Sequence, residues 1–208
     1  MNMNTIYILN IWELAPCRDA ALSRLSDERR QKVLAAHTVE NALRSLGAGL
    51  LLRRFVGDGP FSYGEFGKPF LPDGPPFSLS HGGDLAVLAV GEYGTELGVD
   101  VEKNDRPWRE AVVRRIFTDE EQLAFDGRGE SFFRLWTRKE AVLKCRGSGF
   151  SQLSVFPVLQ DRCAAGGKIY QLNTVVTNGH SVSLAVCGSA AKASICMMNI
   201  QSLLDFLG

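Results

Sequence analysis

The feature that most constrains the fold is an order of elements that occurs twice along the chain. Each time an apolar strand is followed by helical segments and then by a hairpin of two strands, and the closing strands "LAVLAVG" near residue 90 and "VSLAVCG" near residue 187 are similar. A repeated supersecondary unit indicates an internal duplication. We therefore expect an α+β fold of two pseudo-symmetric halves, residues 1–103 and 104–208, each a small antiparallel sheet packed with helices, with an active cleft at the seam.

Local signals place the elements within each half. The N-terminal stretch "MNMNTIYILNIWELAP" reads as a first strand, and residues 25–57 keep helical spacing with a break near 37–38. "FSLSHGGDLAVLAVG" predicts two strands around a Gly82-Gly83 turn, and we expect the strand at 97–105 to extend them as a meander. Helices are predicted in the regions 107–125 and 131–146, the first containing a capping box of Thr118 and Glu121, the second ended by Gly147, and strands return at 167–177, 180–187 and 193–200.

Charge and cysteine content exclude several classes of function. The 23 basic residues balance the 23 acidic ones, so no overall field favours nucleic acid or an anionic membrane. No segment approaches the roughly 20 apolar residues of a membrane span. Five cysteines without metal-ligand spacing fit reduced thiols better than a disulfide framework. We expect a cytoplasmic protein without nucleic-acid or membrane partners.

The stretch "LGVDVEKND", residues 97–105, places two carboxylates in an otherwise apolar strand. Because side chains alternate along a strand, Asp100 and Glu102 share one face and Val99 and Val101 the other. Two partly buried anions repel and lose hydration, which costs several kcal/mol unless positive charge compensates. Either this face is exposed, and solvent and Lys103 compensate the charges, or a hard cation binds there.

A second pair of charged residues lies on the helix "FRLWTRKEAVLKCRG". Glu140 and Lys144 are four residues apart and project from one face. Such a pair is ordinary on an exposed helix, but the apolar neighbours here indicate burial, where a lone acid is expensive. A third acid meeting Asp100 and Glu102 would complete an all-oxygen site of the kind Mg²⁺ prefers, with Mn²⁺ as an alternative, and Lys144 beside it would suit a phosphate oxygen.

These motifs together resemble those of the 4′-phosphopantetheinyl transferases, in particular the two-half Sfp type. The family pattern is G-[VI]-D, about forty residues, then [WF]-[SCT]-x-K-E-[AS]-x-x-K, and "GVDVEK" (98–103) and "WTRKEAVLK" (136–144) satisfy every element. "GKPFLPD" and "FSLSH" upstream and "GSGFSQLSVFPV" downstream extend the similarity over about residues 25–157. Because a full half precedes Asp100, the chain resembles the monomeric two-half type rather than the short trimeric synthases, so a monomer is expected.

The resemblance implies a role for each matching position. Asp100, Glu102 and Glu140 would hold magnesium, and Lys144 would contact the phosphates of coenzyme A. Ser80 and His81, at the "SLSHGG" turn, would hold the 3′-phosphoadenosine end, and four cations, Arg29, Lys32, Arg44 and Lys68, match positions that are basic or beside the nucleotide. Glu140, Lys144 and His81 would be catalytic. The implied reaction transfers 4′-phosphopantetheine from coenzyme A to a serine of an apo acyl or peptidyl carrier protein and releases adenosine 3′,5′-bisphosphate.

Two other functions are compatible with parts of the pattern. A regulatory module could keep the fold and bind a coenzyme without chemistry, although the presence of all three acids and Lys144 argues against a decayed site. A magnesium-dependent hydrolase of diphosphates would need only the acid triad.

The segment "RPWREAVVRRIF" raises a separate expectation about the carrier protein. Trp108, Val112 and Ile116 recur at helical spacing, Val113 and Phe117 widen the stripe, and three arginines flank it. Most such stripes face a core. Because the segment follows the acidic strand, and because the resemblance places carrier docking here, we expect Val113 or Ile116 to be exposed in a small patch rimmed by arginine.

Overall fold

A computed structural model describes residues 4–148, 155–188 and 193–207, so that residues 149–154 of "GSGFSQLSVFPV" lie outside the described residues. The strands are β1 (Asn4–Asn10), β2 (Ser62–Tyr63), β3 (Pro69–Phe70), β4 (Phe77–Gly82), β5 (Leu85–Val90), β6 (Leu97–Lys103), β7 (Arg162–Ala165), β8 (Lys168–Thr177), β9 (His180–Cys187) and β10 (Ala193–Met197). The helices are a 3₁₀ helix (Ile11–Cys17), α1 (Arg18–Ser23), α2 (Asp27–Leu34), α3 (Val39–Phe55), α4 (Glu110–Ile116), α5 (Asp119–Ala124), α6 (Gly129–Arg146) and α7 (Ile200–Phe206).

The main predicted elements are confirmed, including the break between α2 and α3 and the capping box of Thr118 and Glu121. Gly147 follows the last turn of α6 and adopts the left-handed backbone conformation, which is common for a glycine that ends a helix. Sequence patterns missed the 3₁₀ helix, α1, β2, β7 and α7, which are all seven residues long or shorter. In the part of the chain that the structure describes, no helix has the length and hydropathy needed to cross a membrane.

Two four-stranded sheets confirm the α+β class and repeat one pairing order. The first sheet has the order β10-β1-β5-β4 and the second β6-β9-β8-β7, so that β1-β5-β4 corresponds to β6-β9-β8. The pairs are antiparallel except β1 with β10, which is parallel. The expected meander is wrong, because β6 pairs with β9 in the second sheet and not with β5. The chain division at residue 103 stays a prediction.

Apolar residues on β1, β5, β6 and β9, among them Ile8, Val87, Val99 and Leu184, form one buried cluster where the two sheets meet. A second cluster packs α3 on the first sheet, and a third packs α6 on the second sheet. Since Val99 and Val101 belong to the layer between the sheets, the alternating side chains of Asp100 and Glu102 point to the α6 side.

Two glycines let β6 lie against its neighbours on both sides. A Cβ atom on Gly98 would come within 2.2 Å of the Ala141 carbonyl oxygen and the Cys145 amide nitrogen of α6. A Cβ atom on Gly82 would lie 2.2 Å from the Val101 carbonyl oxygen of β6. Backbone therefore packs directly on backbone, which places the acidic end of β6 between β4 and α6.

Buried charges fix the position of α6 from its other side. Lys139 Nζ lies 2.8 Å from Glu121 Oε2, with both side chains fully buried, and Glu121 Oε1 accepts from the amide of Val158 at 2.7 Å. The guanidinium of Arg138 donates to the carbonyls of residues 158–160. Removing one partner of such a network would leave an uncompensated charge, so these residues act structurally.

We expect Gly98→Ala to destabilise the protein by about 1–3 kcal/mol, because the added methyl group meets backbone atoms that cannot move independently of α6. Unfolding in urea measures the change. Gly64→Ala is the control, since its Cβ would meet only the Lys68 carbonyl oxygen at 3.7 Å. Equal stability of the two variants would contradict the close packing of β6 on α6.

Candidate active site

Strands β4 and β6 and helix α6 enclose a cavity of about 360 Å³ that contains six of the predicted site residues. Its lining is Leu79, Ser80, His81, Asp100, Glu102, Trp136, Glu140 and Lys144. The structure thus brings the three acids, the predicted phosphate-binding lysine and the "SLSH" turn to one place.

Asp100 is the centre of a buried hydrogen-bond network and is only 5% exposed. Its Oδ1 accepts from Ser80 Oγ at 2.8 Å and from Lys144 Nζ at 2.7 Å. Lys144 Nζ also donates to Ser80 Oγ at 2.8 Å. Asp100 Oδ2 is buried and has no hydrogen-bond partner among the described residues. One carboxylate oxygen is therefore neutralised, and the other can still accept a ligand.

Glu140 and Glu102 are the less compensated acids. Burial, followed by the charge of Asp100, raises the pKa of Glu140 to about 7, and its Oε1 is buried without a partner within the described parts of the chain. Burial also raises the pKa of Glu102, against the opposing effect of the Arg106 guanidinium with which it forms an ion pair. The site therefore disfavours three negative charges.

The cavity contains the oxygen ligands that a cation site needs, but these ligands are not arranged around one common point. Among residues 4–148, 155–188 and 193–207, no three carboxylate, imidazole or thiol groups are placed to hold a metal ion together. Lys144 occupies one side of Asp100, and Arg106 binds Glu102. The two unpaired buried oxygens of Asp100 and Glu140 are nevertheless the ligand type that Mg²⁺ prefers, so the residues present fit such an ion.

A polar cavity of about 430 Å³ continues from His81 along the Gly82–Asp84 turn and reaches Glu102 and Arg106. Arg44 lines it, held by the Gly83 carbonyl oxygen, which accepts from Nε at 3.0 Å and from Nη2 at 2.8 Å. This cavity shares His81 and Glu102 with the acidic one, so the two are parts of one cleft.

On the other side lies a more apolar cavity of about 450 Å³, whose walls include Phe66, Lys68, Leu79 and Leu143. It shares Glu140 and Lys144 with the acidic cavity. Lys68 Nζ donates to the Leu97 carbonyl at 2.8 Å and to the Cys145 carbonyl at 3.4 Å, and burial lowers the pKa of this lysine. Lys68 therefore braces the β2–β3 hairpin against β6 and α6.

Two predicted cations on α2 do not reach the cleft. The Arg29 guanidinium lies 5.5 Å from the centroid of the Phe61 ring, and Lys32 Nζ lies 2.7 Å from Glu28. Neither residue lines the three cavities described above. Their assignment to the nucleotide stays a prediction.

The expected exposure of Val113 or Ile116 is wrong, since each is only 6% exposed. They belong to a core cluster with Phe117 and Phe132, so this face of α4 points inward. The solvent-facing groups of this region differ from those expected: Trp108, Val112 and Trp136 line a further cavity of about 330 Å³ with Arg106 and Arg109.

Arg106 is a site residue that sequence patterns missed. It lies four residues after Glu102, a spacing that signals an ion pair only on a helix, whereas residues 104–106 form a turn after β6. Without the turn geometry, this arginine was indistinguishable from other surface cations.

Comparisons with known proteins identify a family to which this chain is similar. The family model described as ACPS, 4′-phosphopantetheinyl transferase superfamily, matches residues 96–194. 4′-Phosphopantetheinyl transferase AcpT of Salmonella typhimurium is 34% identical over 186 residues, which cover 80% of this chain and 88% of the relative. 4′-Phosphopantetheinyl transferase Sfp of Bacillus subtilis is 30% identical over 145 residues, covering 62% of this chain and 63% of the relative.

The similarity to the Bacillus subtilis relatives spans less than two thirds of their length. Among solved structures, Thermotoga maritima holo-[acyl-carrier-protein] synthase (AcpS) matches 46% of this chain and 64% of that chain, with 20% identity and a TM-score of 0.34.

The raised pKa of Glu140, about 7 against an ordinary 4.5, predicts the pH dependence of stability without metal. The folded state holds this proton to a higher pH than the unfolded chain does, so the free energy of unfolding should fall, by up to about 3 kcal/mol, as pH rises from about 4.5 to 7. Urea unfolding at a series of pH values in chelator measures this slope. Glu140→Gln should flatten it, and an unchanged slope in that variant would assign the effect to other groups.

Proposed function

From the premise that this chain belongs to the 4′-phosphopantetheinyl transferase superfamily, we propose that it transfers 4′-phosphopantetheine from coenzyme A to a serine of an apo carrier protein. The second product is adenosine 3′,5′-bisphosphate. The observation that carries this proposal is the cavity in which buried oxygens of Asp100 and Glu140 lie beside Lys144 and Ser80 without a hydrogen-bond partner among the described residues.

In the proposed step, the carrier serine oxygen attacks the β-phosphorus of coenzyme A. The bond from that phosphorus to the oxygen bridging toward adenosine breaks, and the leaving group is adenosine 3′,5′-bisphosphate. The serine proton passes to a carboxylate oxygen of Glu140, a buried acid in the cavity that holds the other proposed site residues. Such transfers depend chiefly on positioning and on neutralising charge, which this cleft can supply through fixed cations.

Asp100, Glu102 and Glu140 would hold Mg²⁺, or Mn²⁺ in its place. The ion would supply positive charge to the diphosphate oxygens, where negative charge increases during the transfer. Lys144, which now donates to Asp100 and Ser80, would instead contact a coenzyme A phosphate. We place Ser80, His81 and Arg44 around the 3′-phosphoadenosine end because they line connected parts of one cleft.

The partners we propose are coenzyme A and apo acyl or peptidyl carrier proteins, with the enzyme acting as a cytoplasmic monomer. Intact-mass spectrometry of a panel of apo carriers, incubated with coenzyme A and Mg²⁺, tests the activity through addition of phosphopantetheine. Breakdown of coenzyme A without modified carrier would favour a diphosphate hydrolase. Binding of coenzyme A with neither reaction would favour a regulatory module.

Replacing a central acid should abolish transfer without unfolding the protein. In Asp100→Ala or Glu140→Ala, one member of a mutually repelling cluster is lost, and the partly exposed Lys144 can be hydrated. Carrier modification and thermal unfolding are measured together, with Glu96→Ala as the control, since Glu96 pairs with Lys168 away from the cavity. Full transfer by either variant, or by the unaltered protein in excess chelator, would refute the proposed metal-dependent reaction.

Comparing coenzyme A with dephospho-coenzyme A should distinguish residues that contact the 3′-phosphate from a residue that only stabilises the walls of the cleft. Arg44→Met and His81→Asn should raise the KM for coenzyme A more than the KM for dephospho-coenzyme A if they contact the 3′-phosphate. Lys68→Met should raise both KM values alike, because its ammonium group donates to two backbone carbonyls. An effect of Lys68→Met confined to coenzyme A would show that Lys68 leaves those carbonyls to bind the phosphate.

A further inference from the structure

We propose that His180 is a positioning residue, which holds the Gly82–Asp84 turn and thereby sets Arg44 and His81 for the nucleotide. His180 lies at the start of β9 in the second sheet, whereas the turn joins β4 and β5 in the first. It does not line the cavities of the cleft. The inference rests on the proposed function, because the nucleotide is that of coenzyme A.

The hydrogen bonds of His180 indicate the tautomer of its ring. Its side chain is buried, with a residue exposure of 1%. The backbone N–H of Asp84 donates to Nε2 at 3.2 Å, so Nε2 carries no proton and accepts. Nδ1 therefore carries the proton and donates to the Asn178 carbonyl oxygen at 2.7 Å. Nδ1 thus binds the turn that precedes β9, and Nε2 binds the Gly82–Asp84 turn of the first sheet.

The turn is shaped to receive this ring. Gly83 has a φ of +52°, which L side chains rarely adopt, and a Cβ there would lie 2.4 Å from His180 Nε2. The Asp84 carboxylate is held separately, by Trp12 Nε1 at 3.0 Å and by Lys103 Nζ at 3.2 Å. Among the described residues, the Asp84 backbone N–H donates to His180, while the Asp84 carboxylate is fixed by these other side chains.

The same turn orients the proposed nucleotide contacts. The Gly83 carbonyl accepts two bonds from the guanidinium of Arg44, and His81 lies two residues before Gly83 in β4. Arg44, His81 and Gly83 line one cavity. A rotation of the Gly83–Asp84 peptide would move the carbonyl that Arg44 binds, because the carbonyl and the amide that His180 holds belong to one planar unit.

His180→Asn and His180→Gln form a matched pair for the test. The amide of Gln can place an acceptor near the position of Nε2, whereas that of Asn reaches only the position of Nδ1. We expect His180→Asn to raise the KM for coenzyme A about tenfold, the effect of roughly 1.4 kcal/mol, with little change in kcat or in the KM for the carrier. His180→Gln should stay within about threefold of the unaltered protein.

Calorimetric titration with adenosine 3′,5′-bisphosphate measures the same effect without turnover, and its dissociation constant should rise about tenfold in His180→Asn. Gly83→Ala, which pushes on the ring without changing His180 or Arg44, should raise the KM for coenzyme A as well. If His180→Asn does not fold, Gly83→Ala is compared in the unaltered and the His180→Gln backgrounds: a smaller effect in the His180→Gln background supports the proposal, and an equal effect overturns it.

A purely structural histidine would give a different result. Both substitutions would then lower the melting temperature and the active fraction alike, with an unchanged KM for coenzyme A, and that outcome overturns the proposal. Failure of the unaltered protein to bind the bisphosphate and to modify any carrier would overturn the proposed function, and this inference with it.

Discussion

The whole candidate site depends on the contact of β6 with α6 at Gly98. Because a Cβ at this position would lie 2.2 Å from backbone atoms of α6, strand and helix meet without side chains between them. Asp100 follows two residues later on the strand, and Glu140 and Lys144 flank the contacting residue Ala141 on the helix. The three acids repel one another, so their own interactions cannot assemble the site. Apolar packing on both sides of β6, and the buried Lys139–Glu121 pair behind α6, hold them together.

The electrostatics of the cavity show a cluster that is only partly neutralised. Lys144 and Arg106 each bind one acid, yet the pKa of Glu140 remains raised to about 7 and two carboxylate oxygens have no partner in the described part of the chain. Additional positive charge would relieve this repulsion, and phosphates would draw Lys144 away from Asp100. Under the proposed function, a divalent cation and the anionic substrate should therefore enter the site cooperatively, since each stabilises the arrangement that receives the other.

Residue patterns predicted which charged residues lie together better than they predicted strand pairing and burial around them. Alternation along "LGVDVEKND" and the four-residue spacing of Glu140 and Lys144 are local geometry, and the structure has all four side chains in one cavity. Strand pairing is not local: nothing in β6 identifies β9, 77 or more residues away, as its partner, and the meander prediction failed for that reason. The stripe on α4 showed an apolar face, but only the aromatic residues that pack on it from other elements, such as Phe132, decide that Val113 and Ile116 are buried.

His180 is another residue whose proposed role depends on a tertiary contact and not on a local sequence pattern. A buried histidine at a hairpin turn gives no signal in the sequence, because its importance depends on a glycine turn that lies 96 residues away. That turn belongs to the sheet containing β4, while the acids lie on β6 and α6 of the second sheet. The acids and the proposed nucleotide contacts at the Gly82–Asp84 turn therefore come from different sheets. Their relative position is set where the two sheets pack against each other. At that junction Gly82 and Gly83 line the cleft, whereas His180 lies behind it, so under the proposed function His180 alters coenzyme affinity without contacting the coenzyme.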